Sequence, residues 1–227
     1  MKAVRVDLSA WTASFRYPNL ISGIQPTLDV PPLSTVLGLL NAAAGHYLRH
    51  DDGLEIGYYF EYAARGIDLE TIYQIESGSK GQPTNNAKAN IMQREFLFEA
   101  RLSVYLPDVL LAALFDAPIF PLLLGRSGDL ATVEDIQEVE LSAVANAPKV
   151  KGQVVPFVGN HLPGKLQALP KYFTDTLPRR NLGTEPFSII RFDAPDMTSR
   201  LTAFRDEAQG KRGVDVFFHQ IRMNDLQ

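Results

Sequence analysis

The 227-residue chain contains no cysteine, which excludes disulfides, thiolate zinc sites and a cysteine nucleophile. No apolar run approaches the roughly 18 residues that a membrane span needs. The strongest candidate, Val109 to Phe115, reads as a short buried helix. Met1 to Asp7 alternates charged and apolar residues and lacks the basic end and hydrophobic block of a secretory signal. A cytoplasmic protein with no membrane partner is the expectation. The motifs G-x-G-x-x-G, G-x-x-x-x-G-K-S/T, G-x-S-x-G and H-E-x-x-H are also missing, which removes the commonest nucleotide-binding, esterase and zinc-protease chemistries. There is no internal repeat and no low-complexity tract.

Positive charge is scarce overall, with a formal net charge of -4, but it is unevenly placed. Between residues 51 and 76 seven acids face Arg65 alone, and residues 129–140 hold five more acids. These stretches repel phosphate. Between residues 146 and 192 the bases Lys149, Lys151, Lys165, Lys171, Arg179, Arg180 and Arg191 face only Asp175 and Glu185, a local excess of five. Phe157, Tyr172, Phe173, Phe187 and Phe192 are interleaved with them, the mixture of a single-strand nucleic-acid surface. A basic face salt-bridged to the acidic segments fits the same composition.

Along the chain, Val4, Val6 and Leu8 alternate with Arg5, Asp7 and Ser9, the period of a half-buried strand. Pro31 and Pro32 block a helix before them, and Val36, Leu40, Ala43 and Tyr47 make an apolar stripe, so a helix is predicted to open near Ser34. Gly38, Ala42 and Gly45 form a small-residue stripe that would let this helix lie close on a sheet. Strands are predicted over residues 56–63, 71–75 and 96–105, a second helix after Pro107, and a strand over residues 119–124. The order strand, helix, strand, strand, helix, strand is that of a split βαβ, ferredoxin-like unit. The polar residues 77–90 between the middle strands read as a long loop, whose Lys80, Lys88 and amides such as Asn90 suit nucleic acid. Beyond about Thr132, strands are predicted near 133–141, 153–158, 187–192 and 214–221, and residues 195–205 are ambiguous with a short helix. The fold class is α+β, with a core over residues 1–130 and a mostly β annex over 131–227.

The unpaired N–H groups of the helix starting at Ser34 favour an anion. Arg16, in the incoming Phe15-Arg16-Tyr17-Pro18 loop, adds a planar fork of donors suited to phosphate or carboxylate. A solvated arginine and a hydrated helix end are the plain alternative. His46 and His50, with Asp51 and Asp52, have near-ligand spacing but lack a glutamate base, so no metal site is assigned. His161 and His219 stand alone; either would serve a metal-independent ribonuclease as a base, but no second group pairs with them in sequence. The residues alternating with the apolar face of the first strand, Arg5, Asp7 and Ser9, include no aromatic, so that sheet face is a poor stacking platform and loops are expected to hold any RNA.

Two motifs carry a resemblance. The first is the amino-terminal strand followed by Phe15-Arg16-Tyr17-Pro18 and by Pro32, then Ser34-Thr35-Val36-Leu37-Gly38-Leu39-Leu40-Asn41-Ala42-Ala43; the second is Leu123-Leu124-Gly125-Arg126-Ser127-Gly128-Asp129. Over roughly residues 1–130 the chain resembles the Cas-five family, the subunit of type I CRISPR effector complexes (Cascade, a RAMP-superfamily ribonucleoprotein) that caps the 5′ end of the crRNA. The resemblance implies a ferredoxin-like (RRM-like) core with a long thumb hairpin near residues 77–92, and a scaffold with no catalytic residue, metal or cofactor. It assigns Arg16, Tyr17, Ser34, Lys80, Lys88, Asn90, Arg126 and Ser127 to the crRNA 5′ handle. It also implies contacts with the Cas-seven backbone subunit and the Cascade large subunit, and with target DNA only through the complex, in antiviral defence. The thumb loop's lack of aromatics departs from a stacking role. One branch of the family, in type I-C systems, cuts precursor crRNA without metal. No Tyr, Lys and His trio stands out here, which favours the non-catalytic branch, of I-B or a related type. A metal-independent endoribonuclease and a small-anion-binding ferredoxin-like module are the alternatives.

Overall fold

The computed structural model describes residues 1–20, 23–48 and 53–221. The first half contains β1 (Lys2–Ala13), α1 (Leu33–Ala44), β2 (Leu54–Glu61), β3 (Ala64–Ser77), β4 (Pro83–Leu106), α2 (Val109–Ala113), β5 (Leu122–Leu123) and β6 (Leu130–Glu140). There follow β7 (Ser142–Val144), β8 (Gln153–Pro156), β9 (Lys165–Phe173), β10 (Asn181–Ile190), β11 (Ala203–Asp206), β12 (Val214–Val216) and β13 (Phe218–Ile221). Antiparallel strands dominate, and the main sheet curls into a half-barrel. Its order is β13-β2-β4-β1-β6-β5, with β3 pairing β4 off this path. Two smaller sheets run β8-β10-β9 and β12-β11-β7.

The alternation in β1 does what the sequence predicts. Val4, Val6, Leu8 and Ala10 point into a core with Ala100, Leu102 and Val104 of β4 and with Ile56, Tyr58 and Phe60 of β2. Val36, Leu37, Leu40 and Ala43 of α1 and Leu111 and Ala112 of α2 close that core. Burying each such aliphatic side chain is worth about 1.5–3 kcal/mol. On the opposite face Arg5 donates to Asp206 and pairs with Asp7, while Tyr105 also donates to Asp206, so the β12-β11-β7 sheet covers that end. Trp11, left out of the sequence reading of this face, stands exposed at its other end.

Several expectations are corrected by the pairing. Residues 77–90 are not a loop: β3 and β4 pair continuously from Ala64↔Phe98 to Ile75↔Ala87, with a final Ser77↔Pro83 pair past an irregularity. Only a tight turn is left at the tip, where the Gly81 amide donates to the Gly78 carbonyl. Polar side chains hide this ladder from a hydrophobicity reading because its bonds are made by backbone. The strand predicted over 119–124 shrinks to Leu122–Leu123 at the sheet edge, and the place beside β1 is taken by β6. Residues 195–202 carry no helix, and β11 begins at Ala203. The small-residue stripe does not lie on a sheet either. Gly38 is exposed with open space around it, whereas Gly45, in a left-handed conformation, lies so close to Ile119 that a Cβ there would come within 2.7 Å of that side chain. The amides of Ile119 and Phe120 donate to the Ala43 and Ala42 carbonyls, satisfying the end of α1.

Candidate nucleic-acid interface

The Phe15–Pro18 loop is held from beneath. Phe15 is buried edge-on against Phe60, its amide donates to Thr27 Oγ1, and its carbonyl accepts from the Leu28 amide. Arg16 forms an isolated bridge with Thr27 and is exposed, with no carboxylate partner among the described residues. The returning segment is stitched to the root of the hairpin: the Gln25 amide donates to the Gln93 carbonyl, and the Glu95 amide to the Gln25 carbonyl. α1 then opens at Leu33 after Pro32, with no side-chain cap.

The Gly125–Asp129 turn closes the opposite wall. Its buried Asp129 accepts from Thr12 Oγ1 at 2.6 Å, Ser14 Oγ at 2.8 Å, the Arg126 amide at 2.9 Å and the Arg126 guanidinium at 3.2 Å. Burial disfavours the Asp129 charge, but these hydrogen bonds, those from Arg126 first, outweigh it and hold the carboxyl below its ordinary pKa. Burial likewise opposes the Arg126 charge, and Asp129 and then Asp68 of β3 outweigh it and raise its pKa. The guanidinium also lies 5.9 Å from the centre of the Phe96 ring. Gly125 has φ +127, and a Cβ there would lie 1.9 Å from the Ser14 carbonyl oxygen, so only glycine fits.

These pieces surround a pocket of about 360 Å³ lined by Arg16, Ser34, Thr35, Arg94, Glu95, Gly125 and Arg126, with Leu169, Pro170 and Phe173 of β9 forming an apolar wall. Arg94 Nε stands 2.6 Å from Glu70, a close ion contact rather than an aligned hydrogen bond. Glu95 is occupied by Arg65 and the Thr27 amide. The structure therefore brings together Arg16, Ser34 and Arg126 from the predicted set. Tyr17 sits beside them but buried, its hydroxyl accepting from Lys165, whose ammonium lies 4.5 Å from the ring centre. Ser127 is exposed in the turn next to Arg126.

Lys80, Lys88 and Asn90 are elsewhere. At about 3.3 Å per residue, Asn90 is about 13 Å and Lys88 about 20 Å along β4 from Arg94, and Lys80 lies beyond them in the terminal turn. Asn90, Lys88 and Arg94 share one face of the hairpin with Asp68, Glu70 and Gln74. The other face carries Ile67, Leu69, Tyr73, Ile75 and Ile91, all exposed. Tyr73 supplies an aromatic that the shorter loop lacked.

Sequence reasoning missed Arg94 and Glu95, and found Phe173 only as one of the aromatics interleaved with the annex bases, because no local motif marks residues that only strand pairing carries to the pocket. The annex bases divide. Lys151, Lys171 and Arg191 pair with Asp196, Glu185 and Asp193, and the Lys149 ammonium donates to the Arg212 carbonyl. His219 is fully buried, stacked at 15° on Tyr58, and burial pushes its pKa down to about 4. His161 is exposed against Phe157. Of the histidine and aspartate group near α1, His50, Asp51 and Asp52 lie outside the described residues, and among those described no helix is long and apolar enough to cross a membrane.

The half-barrel of antiparallel strands thus carries an arginine-lined pocket beside a long hairpin. The family model described as "CRISPR-associated protein (Cas_Cas5)" matches residues 3–173. The chain belongs to that family. No curated protein matches the sequence. A chain of the solved structure "CRISPR RNA-guided surveillance complex" is similar in fold, with TM-score 0.54 and 17% identity over 87% of this chain and 91% of that one. A chain of "Cryo-EM structure of the Type III-B Cmr-beta bound to cognate target RNA and AMPPnP, state 1" gives TM-score 0.48 and 11% identity over 88% and 86%. "Crystal structure of a CRISPR protein from Archaeoglobus fulgidus" gives 0.43 and 11% over 97% and 100%. No argument rests on the last two. The chain is thus a CRISPR-associated protein of the Cas5 family.

Proposed function

We propose that the protein is a structural, non-catalytic subunit of a type I CRISPR effector, of I-B or a related type, working in the cytoplasm. In this reading it grips and caps the 5′ handle of the crRNA and meets target DNA only through the assembled complex. The observation that carries it is the pocket, lined by Arg16, which has no carboxylate partner among the described residues, and by a second, fixed arginine, Arg126, beside the start of α1. An exposed guanidinium opposite a shaped polar turn is suited to phosphate, and the β9 wall supplies apolar surface for sugar or base. The strand order β2-β4-β1-β6, with helices after β1 and β4, supports a ferredoxin-like reading of the core. The exposed apolar face of the β3–β4 hairpin supports a protein contact there, which we assign to the Cas-seven backbone subunit, with the large subunit docking nearby.

Co-expression with the backbone subunit and a handle-bearing crRNA tests the assignment: the chain is expected to co-purify with both, and failure with both ends it. Replacing Arg16 with Ala should lower the slope of log affinity against log salt for handle RNA by about 0.7, one phosphate contact on a single strand. The isolated protein is expected to leave precursor repeat RNA intact in EDTA; cleavage under those conditions would replace the scaffold reading with a nuclease.

A further inference from the structure

Of the seven bases between residues 146 and 192, two are left unaccounted for. Arg179 and Arg180 sit in the turn between β9 and β10, exposed, and neither has a carboxylate partner among the described residues. Arg179 lies 5.9 Å from the centre of the Tyr47 ring, a contact that leaves the edge of a guanidinium free to donate. The turn is built rather than frayed. The Thr174 amide donates to the Arg180 carbonyl at 2.9 Å, the Arg180 amide to Thr174 Oγ1 at 2.9 Å, and Thr176 Oγ1 to the Pro178 carbonyl at 3.1 Å. At its apex Leu177 is 96% exposed, the highest value of any large apolar side chain among the described residues. Asp175 is the one acid in this turn.

This turn begins one residue after Phe173, which lines the arginine pocket, so Leu177 lies within about 13 Å of the pocket wall along the chain. We propose that the tip of the β9–β10 hairpin is a second contact for single-stranded RNA, with Arg179 and Arg180 on phosphates and Leu177 against a base face. The proposal rests on the reading that the adjoining pocket holds the crRNA handle, and it extends the footprint from one anion site to a track along β9. Two adjacent cations, with no salt bridge to an acid among the described residues, match a phosphodiester chain, whose charges repeat along the strand. An apolar apex beside them, Leu177, matches the stacked bases that run beside those charges. An acidic protein partner would match the arginines but leaves Leu177 and the adjoining pocket unexplained.

The test uses the full chain and a single-stranded RNA that begins with the repeat-derived handle, titrated at several salt concentrations. Wild type is compared with Arg16→Ala, the double variant Arg179→Ala/Arg180→Ala, and Leu177→Ser, after checking that all four melt at the same temperature. The double variant is expected to lower the salt slope by about 1.4, equal to a salt response about sevenfold smaller between 50 and 200 mM. Leu177→Ser should weaken binding severalfold at every salt concentration with the slope unchanged. If Arg16→Ala lowers the slope but the double variant keeps the wild-type slope and affinity, the tip proposal fails while the pocket reading stands. If wild type shows no salt-dependent binding, both fail. A double variant that binds RNA normally but no longer co-purifies with the large subunit would transfer the tip to a protein contact and also overturn the proposal.

Discussion

The Phe15–Pro18 loop and the Gly125–Asp129 turn face each other across one pocket and treat arginine in opposite ways. Arg126 is spent on the fold: Asp129 and Asp68 hold it, and through it the turn is tied to the hairpin. Arg16 is spent on nothing within the described chain. A buried carboxylate fixes a guanidinium in place and neutralises it, so Arg126 gives shape and Arg16 gives free charge. An arginine in a family motif is therefore not automatically a ligand contact. The carboxylate three residues away decides.

The largest expected break in this comparison is Asp129→Ala. It strips Arg126 of its main partner and leaves the Thr12 and Ser14 hydroxyls without an acceptor, at a cost of about 4 kcal/mol in chemical denaturation. Gly125→Ala should follow at about 3 kcal/mol, because the added Cβ would collide with the Ser14 carbonyl and the positive φ would strain it. A third measurement contrasts paired with unpaired buried groups. His219 is buried without an acid and must be neutral in the folded state, whereas the unfolded imidazole titrates near 6.5. Protonation thus favours unfolding. Stability held above pH 6.5 should fall between about 6.5 and 4 by up to about 3 kcal/mol, and His219→Phe should flatten that decline in a pH series of melts. The Asp129 pKa is lowered too, so its contribution is likewise lost as pH falls, but it persists through that window and goes only in the carboxylate range. The smallest effect is the sharpest. Arg16→Ala should change stability by less than about 0.5 kcal/mol, and a larger loss would mean that Arg16 is structural like its counterpart.

Much of the first half was legible before the structure. Paired prolines followed by apolar residues at helical spacing fixed α1 to within a residue, and strict alternation found β1. Both signals are local. The hairpin was shortened because Thr84, Asn85, Asn86, Lys88 and Asn90 carry no apolar period, yet their backbone groups pair with β3. Propensity does not record that pairing. The same limit hid Arg94 and the place of Phe173 in the pocket, since both reach Arg16 only through a ladder and a second sheet, and made β6 look like the start of an annex when it lies beside β1. Pocket residues adjacent in sequence to a helix start or a glycine turn were found; those delivered by long-range strand pairing were not.

The position of β1 bears on how the protein is made. It is synthesised before both of its neighbours, yet it lies between β4 and β6, and its register with β6 runs from Lys2↔Glu140 to Ala10↔Ala131. Until residue 140 has left the ribosome, at least one edge of this strand has no native neighbour. A strand with one apolar face, Val4, Val6 and Leu8, and a bare edge is a template for misplaced pairing. A strand written well before its second neighbour must wait for it, so slow translation between β4 and β6 prolongs the interval in which a holding chaperone matters most.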